Sequence, residues 1–435
     1  MLENISRGLL GVFLLLLICV AFSSNRRVIN WKLVGTGIVL QFVFAFLILE
    51  VPPVMMAFEF LSRIFIKILE FTHAGSSFLF GDLVNRVDNF GYVFAFQVLP
   101  TIVFFSALTS SLYYLNILQA IVYAFAWVLQ RFMNLSGPES LSAAGNIFLG
   151  QTESPLLIKP YLANMTRSEV LSVMVGGMAT IAGGVLAAYV GFLGGTDPVR
   201  QQMFATHLLS ASIMSAPAAI VCAKILLPQT ETVTGKLHIA KEEVGSNFLD
   251  ALTLGTFDGL KLAVNVGAML IVFIAMVALV NYIFEFSGGL FGLNSWSHSI
   301  SDGRYSAFNL QFILGYVMAP FAWIMGVPNS DLTTVGQLLG EKTVLNEFYA
   351  YTTLGKMTGT VPSEEGIRLT NMKSILIATY ALCGFANFSS IGIQIGGIGA
   401  LAPSKRSTLS ALGFKALIGG TIASFLTATI AAIFI

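Results

Sequence analysis

Two carboxylates stand in a chain otherwise suited to lipid: Glu153, in the string SAAGNIFLGQTESPLLIKP, and Glu347, in TVLNEFYAY. A charge at membrane depth is costly and is usually retained because it binds a substrate, an ion or a proton. Gln151 and Thr152 precede Glu153 directly and add amide and hydroxyl groups in a small volume. Glu347, Asn387 and Ser390 offer similar polar capacity, and the spacing of three puts Asn387 and Ser390 on one side of a helix or of its break. These groups suit a neutral solute rich in hydrogen-bonding groups. No Arg or Lys stands beside either carboxylate, so an anionic substrate is not expected. The bland alternative is a buried acid bonded to helix-end N–H groups. Phe385, two residues before Asn387, could stack a flat ring, although in a chain holding 36 Phe plain packing explains it as well.

The runs that follow each carboxylate are uncharged and rich in glycine, as broken helices are. A break frees N–H groups with partial positive charge and carbonyls with partial negative charge. Carbonyls joined by hydroxyl and amide oxygens suit a hard cation such as Na⁺. Asn146, the Leu149 carbonyl, Thr180 and the Ile181 carbonyl could form such a cage; otherwise Asn146 and Thr180 cap or bridge the breaks.

The elements that must position these groups are membrane helices. Of 435 residues 56% are hydrophobic and only 10% charged, against roughly 25% charged in a typical soluble protein. Residues 170–196, 374–404 and 416–435 contain no Asp, Glu, Lys or Arg, and each reaches the roughly 20 residues that cross a bilayer. The chain is therefore an all-α polytopic membrane protein. Its three cysteines and four histidines are dispersed, which gives no disulfide framework and no metal-ligand or nucleophile pattern. The net charge of +1 says nothing about partners, and no basic block is long enough to suggest nucleic acid.

Residues 8–22 form the first span rather than a signal peptide, because no small-x-small cleavage site follows. Arg26, Arg27 and Lys32 then mark a cytoplasmic loop, with the N-terminus outside. A second span covers 33–50. Glu59, Arg63, Lys67 and Glu70 make a charged stripe on an amphipathic helix expected in the interface. Further spans are expected at 91–115, 205–227, 262–286, 312–327 and 411–435, with an aqueous loop at 228–245. Residues 135–161 carry Pro138, Pro155 and Pro160 and are too polar for lipid yet too apolar for a surface loop, which predicts a re-entrant hairpin. Residues 335–354 form a second interrupted segment. Each half thus holds a carboxylate-bearing hairpin followed by a glycine-broken helix, the sequence sign of inverted repeats in a secondary transporter.

Three strings, GNIFLGQTESPL from Gly145, NEFYAY from Asn346 and CGFANFSSI from Cys383, closely resemble the concentrative nucleoside transporter family, and the resemblance runs over essentially the whole chain. It implies about eight transmembrane helices plus two re-entrant hairpins and interfacial helices, a homotrimer, and import of nucleosides by Na⁺ symport through an elevator-like alternating-access cycle in the inner (plasma) membrane. It implies no organic cofactor. The chain, 1–435, would be one unit: 1–133 mainly scaffold, 134–228 the first hairpin and broken helix, 258–330 scaffold or connecting helices, 335–435 the second hairpin, broken helix and last span. Gln151, Thr152, Glu153, Val185 and Phe385 would meet the nucleobase; Glu347, Asn387 and Ser390 the ribose. Na⁺ would sit at Asn146, Leu149, Thr180 and Ile181. Gly145-Asn146 and Gln-Thr-Glu are similar to the sodium-coupled members rather than to those with serine-rich strings. The alternatives are H⁺ coupling through Glu153 or Glu347, a channel, or an intramembrane enzyme; the last would need a nucleophile–base pair or metal ligands.

Overall fold

The computed structural model describes residues 2–86, 93–231, 233, 245–361 and 367–435, and these contain helices and no strand. Most of the expected loop 228–245, the first residues of the expected span 91–115 and part of the polar stretch 356–373 lie outside them. The helices of eight or more residues are α1 (Leu2–Ala21), α2 (Trp31–Glu50), α3 (Pro52–Phe80), α4 (Leu99–Tyr114), α5 (Ile117–Met133), α6 (Gly137–Gly145), α7 (Arg167–Ala179), α8 (Gly183–Gly194), α9 (Pro198–Leu226), α10 (Phe248–Leu290), α11 (Leu293–Ile300), α12 (Leu310–Ile324), α13 (Leu332–Val344), α14 (Glu347–Met357), α15 (Met372–Leu382), α16 (Phe388–Leu401) and α17 (Arg406–Phe434). Among the described residues seven stretches are long and apolar enough to cross a membrane, with α7–α8 counted as one, and α15 and α16 are shorter apolar halves.

Capping residues set the helix starts, because the first N–H groups of a helix have no partner within it. Asn30 accepts from Leu33 N, Asn247 from Asp250 N and Asn309 from Phe312 N. Thr166 and Glu169 form a reciprocal capping box at α7. The order hairpin, broken helix, long helix occurs twice: α6 with its return turn, α7–α8, α9; then α13–α14, α15–α16, α17. The two copies interlock, since α7 packs on α17 and α15 packs on both α9 and α17.

One expectation is corrected. The span expected at 262–286 is the middle of α10, which begins at Phe248 and runs for 43 residues. At 1.5 Å per residue it is about 65 Å long, twice the roughly 30 Å hydrocarbon layer. Asp258 and Lys261 ended the apolar run in the sequence, but a helix satisfies its own backbone whatever its side chains. Its Ala251, Gly255, Gly259 and Ala263 are buried at a spacing of four, and Gly255 and Gly259 lie so close to α4 that an added Cβ would fall 2.8 Å from Ser106 O and Val103 Cα respectively. Within 170–196, Gly176 and Gly177 are not part of the break. They are helical, and the break is confined to residues 180–182.

α3 bears the expected charges, with Glu59 and Arg63 paired at 3.8 Å and Lys67 on Glu70. It turns Ser62, Thr72 and Ser76 inward, Ser62 meeting Thr206 of α9 at 2.9 Å, and exposes Phe60, Leu61, Phe71 and Phe78. At one end of the molecule Ser24 N donates to Leu226 O, Lys405 Nζ to Met165 O at 2.7 Å, and Lys415 to Ser24. The α1–α2 turn, the end of α9 and the starts of α7 and α17 therefore meet there with Arg26, Arg27, Arg167 and Arg406.

Candidate substrate and ion site

The tip of the first hairpin, residues 146–153, is the centre of the site. Ser136 opens α6 by accepting from Glu139 N, and Ser154 Oγ closes the hairpin on Ser142 O at 2.8 Å. Two bonds hold the tip's backbone from outside: Ser212 Oγ of α9 donates to Ile147 O at 2.9 Å, and Gly183 N, where α8 starts, donates to Phe148 O at 3.1 Å. Glycines clear the surface it docks against. A Cβ at Gly176 would lie 2.9 Å from Asn146 Nδ2, one at Gly177 2.8 Å from Gln151 Cβ, and one at Gly397 2.7 Å from Thr152 Cγ2.

The second broken helix faces this tip. Gly384, at φ +148°, carries the chain through the break, and a Cβ there would meet Met178 O and Ser424 Oγ, both at 2.8 Å. A side chain is excluded both by conformation and by space. Asn387 then caps α16, its Oδ1 accepting from Ser390 N at 2.9 Å. Asn387 Nδ2 donates to Glu347 Oε2 at 2.7 Å, and Gln151 Nε2 donates to Ser390 Oγ at 3.2 Å. Hairpin tip, helix break and second hairpin are thereby joined in one buried polar cluster of Gln151, Ser390, Asn387 and Glu347. Asn346 caps α14 by accepting from Tyr349 N at 2.8 Å, so Glu347 occupies the first helical turn, where the helix dipole favours a carboxylate.

The other expected residues border this cluster. Phe385 is buried in the break, 8% exposed. Val185 is buried one turn before Tyr189 on α8; Tyr189 stacks on Tyr351 of α14 with ring centroids 4.1 Å apart, so this face of α8 looks toward the second hairpin. Glu153 is exposed and its carboxylate accepts from Thr152 Oγ1 at 3.1 Å; it makes no bond to the Glu347 cluster.

The expected ion-site residues lie on the hairpin tip and just after α7. Asn146 is 1% exposed, and neither Oδ1 nor Nδ2 has a hydrogen-bond partner. Thr180 Oγ1, at the end of α7, donates to Gly176 O at 2.9 Å and keeps lone pairs free. Among the described residues nothing donates to the Leu149 or Ile181 carbonyl. A buried amide left unbonded is rare and costly. The donors are neutral oxygens, which fit a hard cation.

Sequence reasoning missed two groups. Gln394, on α16, is fully buried and donates to Gln151 Oε1 at 3.0 Å and to Met174 O at 2.9 Å. It was the one amide in an apolar helical run, four residues after Ser390, which is the signal that could have found it. The second is Lys342. No cation was expected beside a carboxylate, yet Lys342 is fully buried and close enough to act electrostatically on Glu347. It lies five residues upstream, and the turn between α13 and α14 brings it back. Its Nζ donates to Ala381 O at 2.8 Å, in the last turn of α15.

Comparison with known proteins bears directly on this architecture. Models of the N-terminal part of Na⁺-dependent nucleoside transporters, of the nucleoside-recognition gate and of the C-terminal part of the same transporters match residues 10–83, 95–196 and 207–432. An uncharacterized transporter of Haemophilus influenzae is 41% identical over 99% of this chain and 98% of its own length. The chain belongs to the concentrative nucleoside transporter family. Solute carrier family 28 member 3 of Eptatretus stoutii is 42% identical over 97% of the chain, which spans 59% of that longer protein. Among solved structures, CNTnw in an inward-facing substrate-bound state has a TM-score of 0.89 at 37% identity, covering 99% of this chain and 98% of its own. A doubly substituted CNTnw in an outward-facing state has a TM-score of 0.90 at 36% identity, covering 100% and 99%. As a member of the concentrative nucleoside transporter family the chain is a multi-pass membrane transporter, not an enzyme.

Proposed function

We propose that the chain imports nucleosides across the plasma membrane, driven by Na⁺, with an elevator-like exchange of access. Gln151, Thr152, Glu153, Val185 and Phe385 line the nucleobase side. Glu347, Asn387 and Ser390 hold the ribose, whose hydroxyls both donate and accept. Na⁺ travels as co-substrate in the cage of Asn146, the Leu149 carbonyl, Thr180 and the Ile181 carbonyl. The observation that carries this reading is the convergence of the two clusters on one hairpin tip. Asn146 and Gln151 are five residues apart, so an ion satisfying Asn146 stiffens the segment that presents Gln151, and each ligand lowers the ordering cost of the other.

Residues 134–228 and 335–435 carry the site and move as the transport region; 1–133 and 258–330 form the scaffold, which assembles as a trimer. With α15–α16 counted as one broken span, and the expected span at 312–327 left out because α12 has only 15 residues, the membrane is crossed eight times and the repeats are inverted. The cationic end with Arg26, Arg27 and Arg167 faces the cytoplasm. That CNTnw is described in inward- and outward-facing states supports alternating access. Uridine binding to the purified protein, measured by calorimetry in Na⁺ and in N-methylglucamine, tests the coupling. Linkage requires that Na⁺ tighten uridine and uridine tighten Na⁺ by the same factor. Equal uridine affinity in both media would overturn the ion cage.

A further inference from the structure

We infer that Gln394 is a positioning residue that fixes which end of the Gln151 amide faces the nucleobase. The inference rests on Gln151 lying at the base. Direction propagates from a group that can only accept. The Met174 backbone oxygen lies 2.9 Å from one terminal atom of Gln394, so that atom must be the nitrogen. The same nitrogen lies 3.0 Å from a terminal atom of Gln151, which must then be the oxygen. Gln151 Nε2 is left on the opposite side, one N–H on Ser390 Oγ at 3.2 Å and the other uncommitted. The Gln151 carbonyl is thus turned away from the solute, and the amide presents a donor.

Two further features fit this role. Ser390 and Gln394 are one turn apart on α16, so a single helix face holds both ends of the amide. Gly177 of α7 keeps room for the pair, since a Cβ there would come within 2.8 Å of Gln151 Cβ and 2.9 Å of Gln394 Nε2. Gln394 itself is fully buried and reaches substrate only through Gln151. The arrangement selects a base that offers an acceptor at this point.

Uridine and cytidine test it, because their 3 and 4 positions exchange donor for acceptor. Wild type, Gln151→Ala, Gln394→Glu and the size-matched Gln394→Met are compared for uridine and cytidine uptake, normalised to folded protein in the membrane. Glutamate invites the Gln151 nitrogen and turns its carbonyl outward; methionine removes the pin. Both Gln394 variants are expected to change the uridine-to-cytidine ratio by about fivefold to tenfold, the worth of a hydrogen bond gained or lost. A merely structural role would lower both uptakes and leave the ratio alone. An unchanged ratio in both variants, with Gln151→Ala shifting it, overturns the positioning role only. An unchanged ratio in Gln151→Ala overturns the placement of Gln151 and this inference with it.

Discussion

Asn387 binds Glu347 through its Nδ2 at 2.7 Å while its Oδ1 caps α16 by accepting from Ser390 N at 2.9 Å. One amide thus joins the second hairpin to the helix break that follows it in the chain. A structural cap alone would use only the oxygen. Here the nitrogen is committed to a buried carboxylate.

Glu347→Gln and Asn387→Ala are each expected to lower nucleoside uptake about tenfold to a hundredfold, since a buried hydrogen bond to a charged group is worth roughly 1.5–3 kcal/mol. The double variant should lose less than the two single losses combined, because either change weakens the charged contact the two residues share. Uptake rates per transporter in the membrane check this; additive losses would mean the two residues act apart.

Asn146→Ala should raise the Na⁺ concentration for half-maximal uptake about tenfold and leave the ratio of uridine to adenosine transport unchanged, as it deletes one ion ligand and no base contact. A sodium titration with both nucleosides decides. A shifted ratio with an unmoved sodium requirement would reassign Asn146 to the solute.

Gly177→Ala should destabilise the protein by about 1–3 kcal/mol through overpacking against Gln151 and Gln394. Gly396→Ala should be neutral or slightly stabilising, because nothing lies within 4 Å of its added Cβ and alanine favours the helix. Thermal unfolding in one detergent compares the two. Equal melting temperatures would contradict the close docking of the hairpin tip on α7.

Lys224 and Glu139 pair at 2.6 Å, both buried, and Lys224 also donates to Ser168 Oγ at 3.1 Å, tying the base of the first hairpin to α7 and α9. Lys224→Ala leaves a buried charge and should cost about 3–5 kcal/mol, whereas joint Lys224→Met and Glu139→Leu should recover most of it. Denaturation of the three proteins tests this; a harmless Lys224→Ala would show the pair to be hydrated.

Much of this site is legible in the sequence because polar residues in an apolar chain are conspicuous. Gln151, Thr152, Glu153, Glu347, Asn387 and Ser390 stand out for that reason, and Gly384 with Asn387 marks the second break. What escapes is partnership across the fold. Lys224 and Glu139 are 85 residues apart, and nothing in either neighbourhood announces the other. Lys342 looks like an ordinary charge on an amphiphilic segment until the fold buries it and sets its Nζ on Ala381 O of α15. Gly176 and Gly177 look like helix breakers, yet serve as close-approach surface; the sequence shows that a side chain is missing there but not what fills the space. Val185 has no chemical signal and enters through family resemblance.

The most direct test of the account is uptake of labelled uridine and adenosine into proteoliposomes holding the purified protein, with an inward Na⁺ gradient compared with K⁺ replacement at fixed pH. The account predicts concentrative uptake with Na⁺ and none with K⁺. Uptake indifferent to Na⁺ but driven by an inward proton gradient would contradict the coupling and turn attention to Glu153 and Glu347 as proton carriers. No uptake of either nucleoside by folded protein would contradict the substrate site itself.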